Sequence, residues 1–172
     1  VFLETGLAIK NLEVLAKLTN LTHLVVHQYP KLVDLTPLGH LASLEKLEIF
    51  WCERLSDLSP LSGLGSLKTL RIRACDSVYD FSPIAAVASL VDLEIAECDP
   101  LLNLAPFKDL NGLMSFSVKG CTNLSHLDYI ESWSHLENLD IARCMPLQHS
   151  SSTPINEPEE GQHEDVLEDP RY

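Results

Sequence analysis

The 172-residue sequence predicts an α/β-type solenoid. In such a fold stacked coils form a curved arc, with a parallel β-sheet on the concave side and short 3₁₀ or α turns on the convex side. Three observations carry this expectation. The five cysteines, Cys52, Cys75, Cys98, Cys121 and Cys144, each lie 23 residues after the last. Written as rows of 23 from Leu21, Leu44, Leu67, Leu90 and Leu113, the chain is apolar at places 1, 4, 6, 12, 15, 18 and 21 of every row, filling all 35 such positions. Place 17 is proline in four successive rows (Pro37, Pro60, Pro83, Pro106), and place 14 before it reads Asp34, Asp57, Asp80 and Asn103.

Each part of a row implies a local structure. Places 4 and 6 differ by two, the period of a strand with one buried face. Beyond the cysteine at place 9 the apolar spacing becomes three, which suits tight turns or a short 3₁₀ or α turn. Proline falls where such a turn starts and no ladder N–H is required. A row is therefore one coil: strand, bend, and return along the outer side. Strands of successive rows stack in parallel, roughly 4.8 Å apart.

Along the chain, Val1 falls at place 4 of an earlier, truncated coil, with Gly6 in the cysteine place, so the sequence is expected to begin inside a repeat of a longer array. The second to fifth coils, 21–112, are the most regular. The sixth drifts, with Tyr129 in the proline place and Trp133 in the last core place. The seventh opens with Leu136, Leu139, Ile141 and Cys144 and loses the pattern at Ser150. The expected division is a solenoid over 1–149, about seven coils, and a tail over 150–172. That tail is rich in serine, proline and acid and poor in apolar residues, a composition that predicts disorder. A cap or short interaction segment at Val166 and Leu167 is the alternative.

The pattern resembles that of the leucine-rich repeat family, whose consensus is LxxLxLxx(N/C)xL, over Val1 to about His149. The stretches CERLSDLSPLSGLGSLKTL and GCTNLSHL are most similar to the 23-residue cysteine-bearing repeats of trypanosomatid leucine-rich repeat proteins. The repeat domains of plant intracellular immune receptors look alike but are less regular. The short proline-containing repeats of bacterial internalins carry asparagine at place 9. All of these imply protein binding and no catalysis.

Composition narrows the function. The formal net charge is −13. Seven acidic residues against Arg171 put −6 of it in the tail, leaving −7 on the repeats. That balance argues against nucleic acid, whose partners present a basic face. No run of 18 apolar residues exists to span a membrane. The cysteines carry no CxxC pair and no zinc spacing. An inward row of them is expected to be reduced and structural, bonding backbone at the bend, which points to the cytoplasm or nucleus. Two sequons, at Asn20 and Asn123, follow from the repeat itself. His23 and His27 lie four residues apart on a strand, roughly 13 Å, too far to share an ion. No GxSxG, phosphate loop or HExxH is present, so neither an enzyme nor a cofactor is expected.

Places 2, 3, 5, 7 and 8 point away from the core on the concave side. There Phe50 and Trp51 stand beside Arg71 and Arg73 of the next coil and Val25 and His27 of the previous one. Aromatic residues and arginine dominate binding hot spots, so this patch is the candidate site for another protein. The local alternative is Arg73 stacked on Phe50, with Trp51 packed on the loop rim. Glu48, Arg71 and Glu94 form a column of alternating sign, read first as an intramolecular charge ladder. The rival to a binding module is a structural spacer in a large complex, held through its edges or tail.

Overall fold

The computed structural model describes residues 2–3 and 12–144. Among these, seven strands form one parallel sheet in chain order: β1 (Phe2–Leu3), β2 (His23–His27), β3 (Lys46–Phe50), β4 (Thr69–Arg73), β5 (Asp92–Ala96), β6 (Ser115–Lys119) and β7 (Asn138–Ala142). Every residue of β1 to β6 pairs with the residue 23 positions on, as in Phe2↔Val25, Leu47↔Leu70 and Lys119↔Ala142. The cysteine period is thus the register of the sheet. From β2 to β7 the strands occupy places 3–7. Through β5, places 4 and 6 alone face the core, apart from Ala96.

Each of these strands ends the same way. The place-8 residue is left-handed in coils two to seven: Gln28 (φ 57°), Trp51 (53°), Ala74 (51°), Glu97 (52°), Gly120 (64°) and Arg143 (58°). This single residue turns the chain so that the next side chain, the cysteine, enters the core. In five coils the place-8 N–H still donates to the place-7 carbonyl of the following coil, as in Trp51 N to Arg73 O at 2.9 Å and Glu97 N to Lys119 O at 2.7 Å. For residues other than glycine this conformation costs about 1 kcal/mol or more. Composition signals it only at Gly120.

The outer side advances in steps of three. Leu55 N donates to Cys52 O (3.0 Å), Leu61 N to Leu58 O (2.9 Å), Leu64 N to Leu61 O (3.0 Å) and Leu67 N to Leu64 O (3.1 Å). The apolar spacing of three is therefore the 3₁₀ hydrogen-bond period, which puts each turn's side chain on the same inward face. Regular 3₁₀ helices are η1 (Glu13–Leu15), η2 (Thr36–His40), η3 (Ser59–Gly63), η4 (Ser82–Ala86), η5 (Ala105–Phe107) and η6 (Ile130–Ser132). Asp34, Asp57 and Asp80 each accept from the N–H two residues on at 2.8 Å, and Asn103 does so at 3.0 Å. This Asx turn launches η2–η5, with proline at the second helical position.

The sixth coil shows what those two residues do. It has His126 at place 14 and Tyr129 at place 17. Its helix η6 starts two places late, after a left-handed Tyr129 (φ 78°). Leu127 and Ile130 are half-buried there, whereas their counterparts in coils two to five are buried. Trp133 restores the core: it is buried against Phe116, ring centroids 4.8 Å apart, and its Nε1 donates to Phe107 O at 3.1 Å.

One apolar cluster runs from Leu12 to Trp133. Of the 35 core places only Leu21, Leu127 and Ile130 are half-buried, and the other 32 are buried. All five cysteines are free, with Cys144 half-buried and the rest buried. Cys75 and Cys98 point their thiols at the carbonyls of Arg73 (3.4 Å) and Ala96 (3.3 Å). Burial pushes Cys98 up to about 12 and Cys121 to about 11 from the ordinary 9.0. Most of the first coil, the end of the array near His149 and the tail over 150–172, with Val166 and Leu167, lie outside the described residues.

Candidate functional site

The concave face is built by places 5 and 7 of adjacent strands. Strand register sets Val25, Glu48, Arg71 and Glu94 side by side, and His27, Phe50 and Arg73 side by side. Trp51 stands at the rim on its left-handed backbone. These eight residues line a single depression of about 270 Å³.

Its aromatic wall is tightly assembled. His27 meets Trp51 edge-on with centroids 4.9 Å apart, and Phe50 lies 6.1 Å from Trp51 and 6.3 Å from His27. Arg73 stacks on Trp51 and not on Phe50, with Cζ 5.2 Å from the indole centroid. The reason is Glu97, a residue the sequence reading did not single out. Its carboxylate takes the guanidinium through two bonds, Nε to Oε2 at 3.1 Å and Nη2 to Oε1 at 2.6 Å. That hydrogen bonding from Arg73 holds the Glu97 carboxyl below its ordinary value. The signal for it was positional: place 8 of one coil lies against place 7 of the coil before.

The place-5 column is a working charge ladder. Arg71 Nη1 lies 3.3 Å from Glu48, its Nη2 3.5 Å from Asp92 and its Nε 3.7 Å from Glu94. Lys46 also reaches Glu48 at 3.0 Å. Lys68–Glu45 (3.2 Å) and Lys119–Asp140 (2.7 Å) link further neighbouring coils. Exposed pairs of this kind stabilise weakly. They do, however, commit most of the cations of the face to its own carboxylates. Trp51 is different, since it remains 36% exposed, with half-buried Phe50 beside it.

Two concave positions are more covered than their outward direction predicts. Ala96 is 4% exposed and Ser117 8%. Small side chains between long neighbours are shaded by them. His23 bonds Thr22 Oγ1 at 2.9 Å, at the opposite end of β2 from His27. Among the described residues no group of three or more His, Cys, Asp or Glu side chains is placed to hold a metal ion. No helix among them is long and apolar enough to cross a membrane.

Solved structures share this architecture. Internalin C2 from Listeria monocytogenes superposes with a TM-score of 0.62 at 22% identity, over 77% of this chain. A second internalin of that organism, InlF, gives 0.57 at 25% identity over 81%. A plant peptide hormone receptor, RGFR1, solved in complex with RGF2, gives 0.54 at 20% over 76%. The chain folds as a leucine-rich repeat solenoid. It spans 57%, 45% and 22% of the lengths of those three structures. No protein-family model and no curated protein matches it. In leucine-rich repeat terms, the place-9 consensus position is held by cysteine from the third coil to the seventh and by buried Tyr29 in the second, and the 270 Å³ depression lies on the concave sheet.

Proposed function

We propose that this leucine-rich repeat array is a protein-interaction module that takes its partner on the concave face. The observation that carries this reading is the cluster of half-buried His27 and Phe50 with exposed Trp51 under Arg73, lining a 270 Å³ depression on the sheet face. Aromatic anchors in a depression ringed by polar residues are the usual centre of a protein interface. A rigid sheet also binds with little ordering cost. That the plant receptor structure holds a peptide hormone on the same fold supports the partner class. The module belongs to a larger regulatory or receptor protein, in keeping with the trypanosomatid and plant repeats its sequence resembles. Its free, buried thiols favour a reducing compartment, the cytoplasm or nucleus.

The test is a paired capture from native extract with wild-type protein and a Phe50→Ala, Trp51→Ala, Arg73→Glu variant, both first shown to be folded by circular dichroism. A partner retained by the wild type and lost by the variant is the expected result. Equal recovery by both would overturn the concave-face reading in favour of a spacer held elsewhere.

A further inference from the structure

Across the sheet, the place-5 row reads Glu48, Arg71, Glu94, Ser117, Asp140. Charge alternates through the first three. At the fourth strand, where a cation would continue the series, stands a serine, and beyond it a second carboxylate. Ser117 is the in-register neighbour of both Glu94 and Asp140. It is 8% exposed, and its Oγ has no protein hydrogen-bond partner. A buried hydroxyl without a partner loses free energy that a matching donor would restore.

Above Ser117 opens a second concave depression, of about 520 Å³, adjoining the aromatic one at Arg71 and Glu94. Its walls add Asp92, Glu137 and Asp140. Two cations line it, and both are engaged. Lys119 holds Asp140, and Arg71 divides itself among Glu48, Asp92 and Glu94. Four carboxylates against two cations leave two negative charges over an unmet hydroxyl.

We propose that this depression receives an arginine side chain of the partner protein, its guanidinium lying between Glu94 and Asp140 and donating to Ser117 Oγ. The two carboxylates stand two strand spacings apart, roughly 10 Å. A lysine ammonium, a single nitrogen with bonds of about 2.9 Å to either side, spans that gap poorly. A guanidinium fork spans it better and offers five donors to the several acceptors here. The inserted cation completes the charge alternation that Ser117 interrupts. This reading rests on the concave face being the binding face, but not on the aromatic cluster.

The experiment is a titration of ¹⁵N-labelled protein with Nα-acetyl-arginine N-methylamide, and in parallel with its citrulline counterpart, which has nearly the same shape and no charge. Expected are shifts centred on the amides of Ser115, Ser117 and Asp140 with a dissociation constant on the order of a few millimolar, and much smaller shifts with citrulline. Ser117→Ala weakens arginine binding about fivefold or more. Ser117→Lys supplies the missing cation from within and abolishes binding while preserving the amide pattern of a folded array. A Phe50→Ala, Trp51→Ala variant, which leaves every charge in place, binds the probe as the wild type does, which separates this site from the aromatic one. Equal binding of citrulline, undiminished binding by Ser117→Lys, or no shift at these amides up to about 50 mM arginine probe overturns the proposal.

Discussion

Substituting Asp57 tests how the convex turns are held. Its Oδ1 accepts the Ser59 N–H at 2.8 Å and the Ser59 hydroxyl as well. Asp57→Ala removes both bonds at the start of η3. By analogy with helix N-caps the loss is about 1 kcal/mol at neutral pH, or roughly 2–4 °C in Tm for a domain of this size. Asp57→Asn keeps the acceptor, as Asn103 does in the fifth coil. It also removes a charge repelled by Asp34 and Asp80 on the flanking coils. That variant should fall between the wild type and Asp57→Ala, because Ser59 favours the carboxylate more than Asp34 and Asp80 oppose it. Hydrogen bonding to Ser59 holds the Asp57 carboxyl below its ordinary 3.8. A carboxyl depressed on folding stabilises fully above its unfolded value and loses that contribution as pH falls through the folded one. The deficit of Asp57→Ala, measured by urea unfolding, should therefore be full at pH 7 and shrink below pH 3.8. A deficit unchanged at low pH, or Asp57→Asn as damaging as Asp57→Ala, would refute this account of the turn.

Trp133→Phe should cost about 0.5–1.5 kcal/mol, read as a lower urea midpoint, because it keeps the contact with Phe116 but removes one of the two donors to the Phe107 carbonyl, the Leu110 N–H at 3.0 Å remaining. Thiol labelling of the native protein at pH 8 should modify Cys144 first, and Cys98 and Cys121 only on unfolding, since burial holds the latter two protonated. The same raised thiols set an alkaline limit. Their contribution to stability is complete below pH 9.0 and falls as pH rises through about 11 and 12, visible in circular dichroism melts across that range.

The register, the core and the concave patch were all legible in the sequence, because each depends on which residue types recur at which spacing. Burial needs an apolar side chain, and 23-residue spacing places equivalents side by side, so Leu47, Leu70 and Leu93 announce themselves. Contacts set by backbone conformation left a weaker trace. The left-handed place 8 is filled by Gln, Trp, Ala, Glu, Gly and Arg, and only the glycine marks it. Glu97 is held there facing Arg73, so the stacking of Arg73 on Trp51 was not readable from residue types alone. The aspartates at place 14 were visible as a column, but their role as acceptors needed the positions of the N–H groups two residues on. Ser117 was hidden for the opposite reason: a small polar residue on an exposed strand face carries no sequence signal of burial.

The pairing of every strand residue with its own counterpart 23 positions later has a bearing on how such a chain changes in length. Removing or duplicating 23 consecutive residues anywhere between Leu44 and Gly112 joins equivalent backbone sites. Strand, bend and convex turn then meet the same neighbours as before. A gain or loss of one residue inside a coil instead sets cysteine against strand and exposes a leucine face. The array is thus tolerant of whole-unit edits and intolerant of small ones, and its reach can grow without any new kind of contact.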